Sequence, residues 1–175
     1  LFVLMEDDSI IPSDPPIIKN KVYRFMDVVA HRRDNYMMLL NMHSTRTATY
    51  EAAGGENRRA WYERAGSTLF YEENDYRHYN DNYYVSFDAK KYPGVTAINC
   101  LDYDTSSIDL GYYTVSGTAK QDFAGSVSLG EYGSSAYEAD QFIYDEVNKN
   151  HYRTPRMARK SYFMFDDAVY CLGTD

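Results

Sequence analysis

Between Lys21 and Gly173 the apolar and aromatic residues recur at a spacing of two rather than 3.6, in strand-length runs broken by Gly, Asn, Asp and Ser clusters. A strand sends alternate side chains to opposite faces, so this pattern demands sheets with one packed face and one wet face. "KVYRFMDVVAHRR" and "NYMMLLNMHS" read as two strands with Asp34 and Asn35 at the turn between them. "STLFY", "NYYVSF", "VTAINC", "SVSLGEY" and "QFIYDEV" read as further strands, rich in aromatic and β-branched residues. "KSYFMFDDAVYCLG" is the clearest hairpin, with Asp166 and Asp167 between two apolar strands. No segment sustains helical periodicity beyond about two turns with caps at both ends. The expected fold is all-β, an antiparallel sandwich. "GEYGSSAYEAD" reads as a turn, and "SSIDLGYYTVSGTAKQDFAGS" as a long loop or irregular hairpin.

The 175 residues are enough for one domain with a substantial core. Residues 1–20 read as a linker and residues 21–175 as the sandwich, because Pro12, Pro15 and Pro16 favour extended backbone ahead of the patterned region. The opening apolar run "LFVLM" is cut by Glu6, Asp7 and Asp8, too soon for a signal peptide core or a membrane span. With no initiator Met, the chain is expected to be an internal piece of a longer protein or a processed product.

A formal net charge of −8 argues against a general nucleic-acid binder, which needs a basic field to neutralise phosphates. An anionic partner would need a local basic pocket. The 19 tyrosines suit strands with one wet face and suit sugar binding equally, since a ring can lie against the C–H face of a pyranose. Cys100 and Cys171 are too few for a disulfide framework or a structural zinc site; one bridge or two separate thiols are both compatible with the sequence.

Chemistry-bearing residues concentrate in "STRTATYEAAGGENRRAWYERAG", Ser44 to Gly66. Arg46, Arg58 and Arg59 offer paired donors to a carboxylate or sulfate, and each can equally be a solvated surface residue. Glu51 and Glu56 could flank a glycosidic bond, although an acidic chain has many such pairs. Asn57, Trp61 and Tyr62 lie close enough in sequence to share a site, with a core anchor as the alternative role for the single Trp. His31, His43, His78 and His151 show no metal-ligand spacing, and His31 and His43 are expected to be hydrogen-bonded strand residues. No nucleophile elbow, phosphate loop or dinucleotide fingerprint is present.

The order of these segments resembles the central domain of polysaccharide lyase family 8, the hyaluronate, chondroitin AC and xanthan lyases. "FMDVVAHRRDNYMMLLNMHSTR" is similar to the family's entry strands, with its Met-Asp step, His-Arg pair and closing Ser-x-Arg. "YEAAGGENRRAWYERAGSTLFY" resembles its Tyr-Glu, Glu-Asn, Trp-Tyr and Gly-x-Thr block. "KKYPGVTA", "GSVSLGEYG" and "ARKSYFMFDDAVYCLG" resemble three later segments in the same order. The resemblance implies an antiparallel super-sandwich from a secreted or periplasmic enzyme that cleaves acidic polysaccharides by β-elimination, without a cofactor. It implies that the catalytic tyrosine, histidine, asparagine and an arginine lie on an N-terminal α/α toroid of the same parent chain, absent from these residues. Glu51 matches the family's site glutamate that orients that tyrosine, Arg46 its Ser-x-Arg position and Asn57 its Glu-Asn pair. Arg58, Trp61 and Tyr62 join them as expected substrate contacts. Gly54 departs from a common site Asn, and Ala60 from the usual Gly before Trp. A noncatalytic carbohydrate-binding sandwich is the alternative reading.

Overall fold

A computed structural model describes residues 9, 17–48, 62–72, 75, 77–89, 91–96, 121–145 and 150–174; over 140–145 and 150–156 it describes the backbone alone. Two four-stranded antiparallel sheets carry the described residues. The first runs β1 (Lys19–Tyr23), β2 (Val28–Arg32), β3 (Tyr36–Asn41) and β4 (Ser67–Glu72), each strand paired with the next. The second runs β5 (Ala124–Ser128), β6 (Gly133–Asp145), β7 (Asn150–Met164) and β8 (Val169–Thr174), again in chain order. Short turns between period-2 runs produce this order except at β3–β4, which pair across the long connection from Met42 to Gly66.

The alternation explains the core. In β3, Tyr36, Met38 and Leu40 are buried while Met37, Leu39 and Asn41 are half-buried. The buried set joins Val29 and Met42 and meets Tyr137, Ala139, Ala158, Tyr162 and Met164 from β6 and β7, so the two inner faces share one core. Each fully buried large side chain contributes roughly 1.5–3 kcal/mol relative to exposure.

The sandwich, the β4 strand and the β7–β8 hairpin across Asp166 and Asp167 follow the sequence pattern. Five expectations need correction. "SVSLGEY" is strand only as far as Ser128, and Leu129–Tyr132 turn, closed by the Leu129 N–H on the Tyr132 carbonyl at 2.9 Å. Lys21–Arg33 is two strands rather than one, because residues 24–27 turn and Asp27 takes a left-handed φ of 53°. β1 begins at Lys19, within the stretch read as linker. "NYYVSF" forms a short helix, α1 (Asp81–Ser86), instead of a strand. The Asn80 side chain accepts from the N–H groups of Asn82 and Tyr83, and Tyr79, Tyr83 and Phe87 stack at helical spacing. Finally, "GEYGSSAYEAD" is a turn only as far as Tyr132; from Gly133 it enters β6. Most of the long loop "SSIDLGYYTVSGTAKQDFAGS" and the end of "VTAINC" lie outside the described residues; Val95 and Thr96 are not in a strand.

Candidate functional site

The site grows from the turn between β1 and β2. Asp27 is 2% exposed and holds a backbone conformation that short polar side chains tolerate better than others. A carboxylate out of water needs donors. Asp27 Oδ2 accepts from Ser44 Oγ at 2.5 Å, and Oδ1 accepts from Arg46 Nη2 at 2.5 Å. The Asp27 carbonyl accepts the N–H of Met42 at 3.0 Å, so the turn is stitched to the chain leaving β3.

Arg46 is the one sequence-expected arginine among the described residues, and it bridges the two sheets. Besides Asp27, its guanidinium donates to the carbonyls of Asp122 (3.2 Å) and Ala124 (3.0 Å) at the start of β5. The neighbouring Thr45 N–H donates to the Gln121 carbonyl at 2.9 Å. These bonds take three of a guanidinium's five N–H directions. The side chain remains 44% exposed, which leaves an edge facing outward. Arg46 therefore has a firm structural role as well as accessible donors.

Residues 62–66 bring the chain back. Tyr62 is half-buried at the start of a turn closed by the Ala65 N–H on the Tyr62 carbonyl (3.0 Å). The Gly66 N–H donates to the Asn41 carbonyl at 2.8 Å, and Ser67 Oγ donates to the Glu63 carbonyl. Arg64 Nη2 donates to the carbonyl of Met26, returning to the same β1–β2 turn. Glu51, Gly54, Glu56, Asn57, Arg58, Arg59 and Trp61 lie outside the described residues. Cys100 does too, while Cys171 is an exposed free thiol.

Beside the returning limb lies a group of phenols and phenyls. Tyr71 meets Tyr79 edge-on at 5.0 Å, Tyr79 meets Tyr83 at 4.9 Å, and Phe87 meets Tyr92 at 4.8 Å. Burial, reinforced by the Glu63 carboxylate, pushes the Tyr84 and Tyr92 hydroxyls above the usual tyrosine range. At neutral pH they are neutral donors.

Neither His31, in β2, nor His43, which lies past the end of β3 rather than in a strand as expected, stands as a base. His31 is wholly buried, with Nε2 2.9 Å from the Phe165 carbonyl and Nδ1 3.3 Å from the Asn20 amide nitrogen. His43 is buried with its ring against Tyr137. Among the described residues no three His, Cys, Asp or Glu side chains group as a metal site, and no helix is long and apolar enough to cross a membrane. Sequence reasoning missed Asp27 and Arg64 as site-forming residues. Both sit inside stretches quoted above, the Met-Asp step and Ser44 to Gly66, but their partners are 19 and 38 residues away in the chain.

Residues 18–175 match the model of the polysaccharide lyase family 8 super-sandwich domain. The chain is 33% identical over 171 residues to a xanthan lyase of Bacillus sp. (strain GL1), covering 98% of this chain and 16% of that protein. It is 29% identical over 170 residues to a hyaluronate lyase of Thermasporomyces composti, covering 95% and 19%. A chondroitinase-AC of Pedobacter heparinus is 33% identical over 147 residues, covering 84% and 18%. The chain thus spans under a fifth of the length of these relatives. Among solved structures, a Streptomyces coelicolor A3 chondroitin AC lyase in complex with chondroitin sulphate superimposes with a TM-score of 0.70 at 26% identity, covering 93% of this chain and 20% of that one. A Paenibacillus xanthan lyase superimposes with a TM-score of 0.71 at 26% identity, covering 98% and 14%.

Proposed function

The chain belongs to polysaccharide lyase family 8 and carries its super-sandwich domain; from that premise we propose that it forms the sandwich wall of a cleft in which a uronic-acid-containing polysaccharide is cut by β-elimination. The observation that carries this is the unbroken family match from residue 18 to 175, which contains the whole Ser44–Gly66 stretch.

In β-elimination the C–H bond alpha to the uronate carboxylate breaks, a C=C bond forms, and the glycosidic C–O bond breaks with a proton delivered to the leaving oxygen. A charged carboxylate makes that proton weakly acidic, so the site must neutralise it and hold the developing enolate with fixed donors. In this reading the acid and base sit on an N-terminal α/α toroid of the same parent chain. Glu51 orients the toroid's tyrosine. Asn57, Arg58, Trp61 and Tyr62 contact the sugar, and Arg46 offers the outward edge of its guanidinium. The parent enzyme works outside the cytoplasm, where such polymers are found.

A noncatalytic carbohydrate-binding sandwich is the second reading, favoured by Gly54 in place of the family's Asn. The test is an assay of the full parent chain on hyaluronan, chondroitin and xanthan, following ultraviolet absorbance of the unsaturated product, with Glu51→Ala beside wild type. Loss of activity in a folded Glu51→Ala variant supports the lyase reading. Glycan binding with no unsaturated product in the wild type replaces it with the second.

A further inference from the structure

The two limbs that lead into and out of residues 49–61 are tied to neighbouring residues of one turn, the entry limb to Asp27 and the exit limb to Met26. On the entry side, Ser44 and Arg46 both bond the carboxylate of Asp27. The entry limb is itself a closed turn: the Thr47 N–H donates to the Ser44 carbonyl at 3.1 Å, and the Arg46 N–H lies 3.3 Å from Ser44 Oγ. On the exit side, Arg64 bonds the carbonyl of Met26. Residues 26 and 27 thus form one clamp for both limbs. Nothing in a generic sandwich requires it, because a surface turn of a hairpin costs least when its polar groups stay in water. Here the carboxylate is buried, its backbone is left-handed, and its charge is spent on the chain segment next to the expected site.

We propose that Asp27 is a positioning residue for the lyase reaction, acting through Ser44 and Arg46 to fix where the chain bearing Glu51 and Asn57 begins. The proposal rests on the lyase reading above. The chemistry is specific to a carboxylate. Asparagine has the same shape and also tolerates left-handed backbone, but it is uncharged and turns an NH2 group toward one of two donors. Arg46 then loses its counter-ion in the turn, whichever way the amide faces, while keeping its two carbonyls at Asp122 and Ala124.

The experiment uses the full parent chain and measures kcat and KM separately. Four variants are compared with wild type: Asp27→Asn, Arg46→Gln, the double variant, and Glu51→Ala. The expected result is a fall in kcat of tenfold or more for Asp27→Asn with KM within threefold. The double variant, which replaces the ion pair with two amides, is expected to recover part of that loss. Ser44→Ala removes one of the two donors and serves, with a smaller fall in kcat, should Asp27→Asn not fold. Wild-type kcat in a folded Asp27→Asn beside an inactive Glu51→Ala overturns the positioning role and leaves the lyase reading standing. A loss in Asp27→Asn confined to KM, or a double variant as poor as the product of the singles, also overturns it, because Asp27 then does not act on kcat through Arg46. No unsaturated product from the wild type overturns the lyase reading itself, and the proposal with it; full activity in Glu51→Ala overturns the proposal by removing the site residue that Asp27 is argued to position.

Discussion

The phenol of Tyr137 in β6 ends against the Cα of Gly66, the residue that leads into β4. Gly66 has a φ of 95°, and a Cβ built there would overlap the Tyr137 hydroxyl and stand 2.8 Å from Cζ. The two sheets approach closely at this point only because Gly66 carries no side chain. Gly66→Ala adds backbone strain of about 1–2 kcal/mol and overpacking of about 1–3 kcal/mol. The expected loss is roughly 2–5 kcal/mol, a fall in melting temperature of about 2–4 °C per kcal/mol for a chain this size. Tyr137→Phe in the Gly66→Ala background should restore only part of it, since Cζ still crowds the new methyl. A Gly66→Ala melt unchanged from wild type would remove this contact from the account.

His31 ties β2 to the β7–β8 hairpin. Its Nε2–H donates to the Phe165 carbonyl, which also accepts the Tyr36 hydroxyl at 2.8 Å, while Nδ1 faces the Asn20 amide. Burial holds its pKa below the ordinary histidine value; the Phe165 carbonyl and Asp166 oppose that shift and Arg33 adds to it. The native state therefore resists a proton that the unfolded chain accepts near pH 6.5. Stability is complete above that value and falls as pH drops through it toward the lower folded pKa. His31→Gln keeps a donor for Phe165 and does not titrate. It should be less stable by about 1–2 kcal/mol at pH 7.5 and lose less between pH 7.5 and 5.5 than wild type does. Parallel pH profiles of the denaturation midpoint would contradict the buried-neutral account.

What could be read from the sequence divides along the range of the forces involved. β3, β4 and the β7–β8 hairpin were legible because alternation and local turn chemistry suffice for them. The β1–β2 turn was not: alternation runs straight through Arg24–Asp27 without a Gly or Pro, and the only local sign is an Asp able to turn left-handed. α1 was misread because Tyr-Tyr-Val has strand propensity, while the deciding signals were the Asn80 cap and the 79, 83, 87 ring spacing. For the site, the Met-Asp and Ser-x-Arg motifs were both visible, yet their meeting at Asp27 and Arg46 depends on tertiary closure across 19 residues.

α1 offers a clean test of that distinction. Asn80 Oδ1 accepts from the Asn82 and Tyr83 N–H groups at 3.0 and 3.2 Å, and no residue of the helix is buried. Asn80→Ala should cost the helix about 1 kcal/mol. Without buried contacts to transmit it, the effect stays local. Amide exchange at Phe87, whose N–H bonds the Tyr83 carbonyl at 2.9 Å, should speed up about fivefold while the global melt moves by no more than a degree or two. Asn80→Asp should retain protection. A large drop in melting temperature would mean that α1 packs into the fold more deeply than its exposure indicates.

Two aspartate–arginine pairs in the same chain should differ in worth. Asp166 bonds Arg33 and accepts the Tyr132 hydroxyl at 3.0 Å; Arg33 is only 9% exposed, but Asp166 is 58% exposed and Glu131, 3.5 Å from Arg33, remains as a second counter-ion. Water and salt screen such a pair, so Asp166→Asn should cost under about 1 kcal/mol, and less still at high ionic strength. Asp27 is 2% exposed and supports two donors with its carboxylate. Asparagine there leaves Arg46 without a counter-ion and turns an NH2 group toward one of the two donors, although the Arg46 side chain, 44% exposed, can still be hydrated. Asp27→Asn should therefore cost about 2–3 kcal/mol, below the full penalty for orphaning a wholly buried charge, and the difference should persist in concentrated salt. Denaturant midpoints for both variants at two salt concentrations decide the matter. Equal costs, or an Asp27→Asn effect that salt erases, would return the Asp27 pair to the class of surface ion pairs and take from the site the anchor assigned to it.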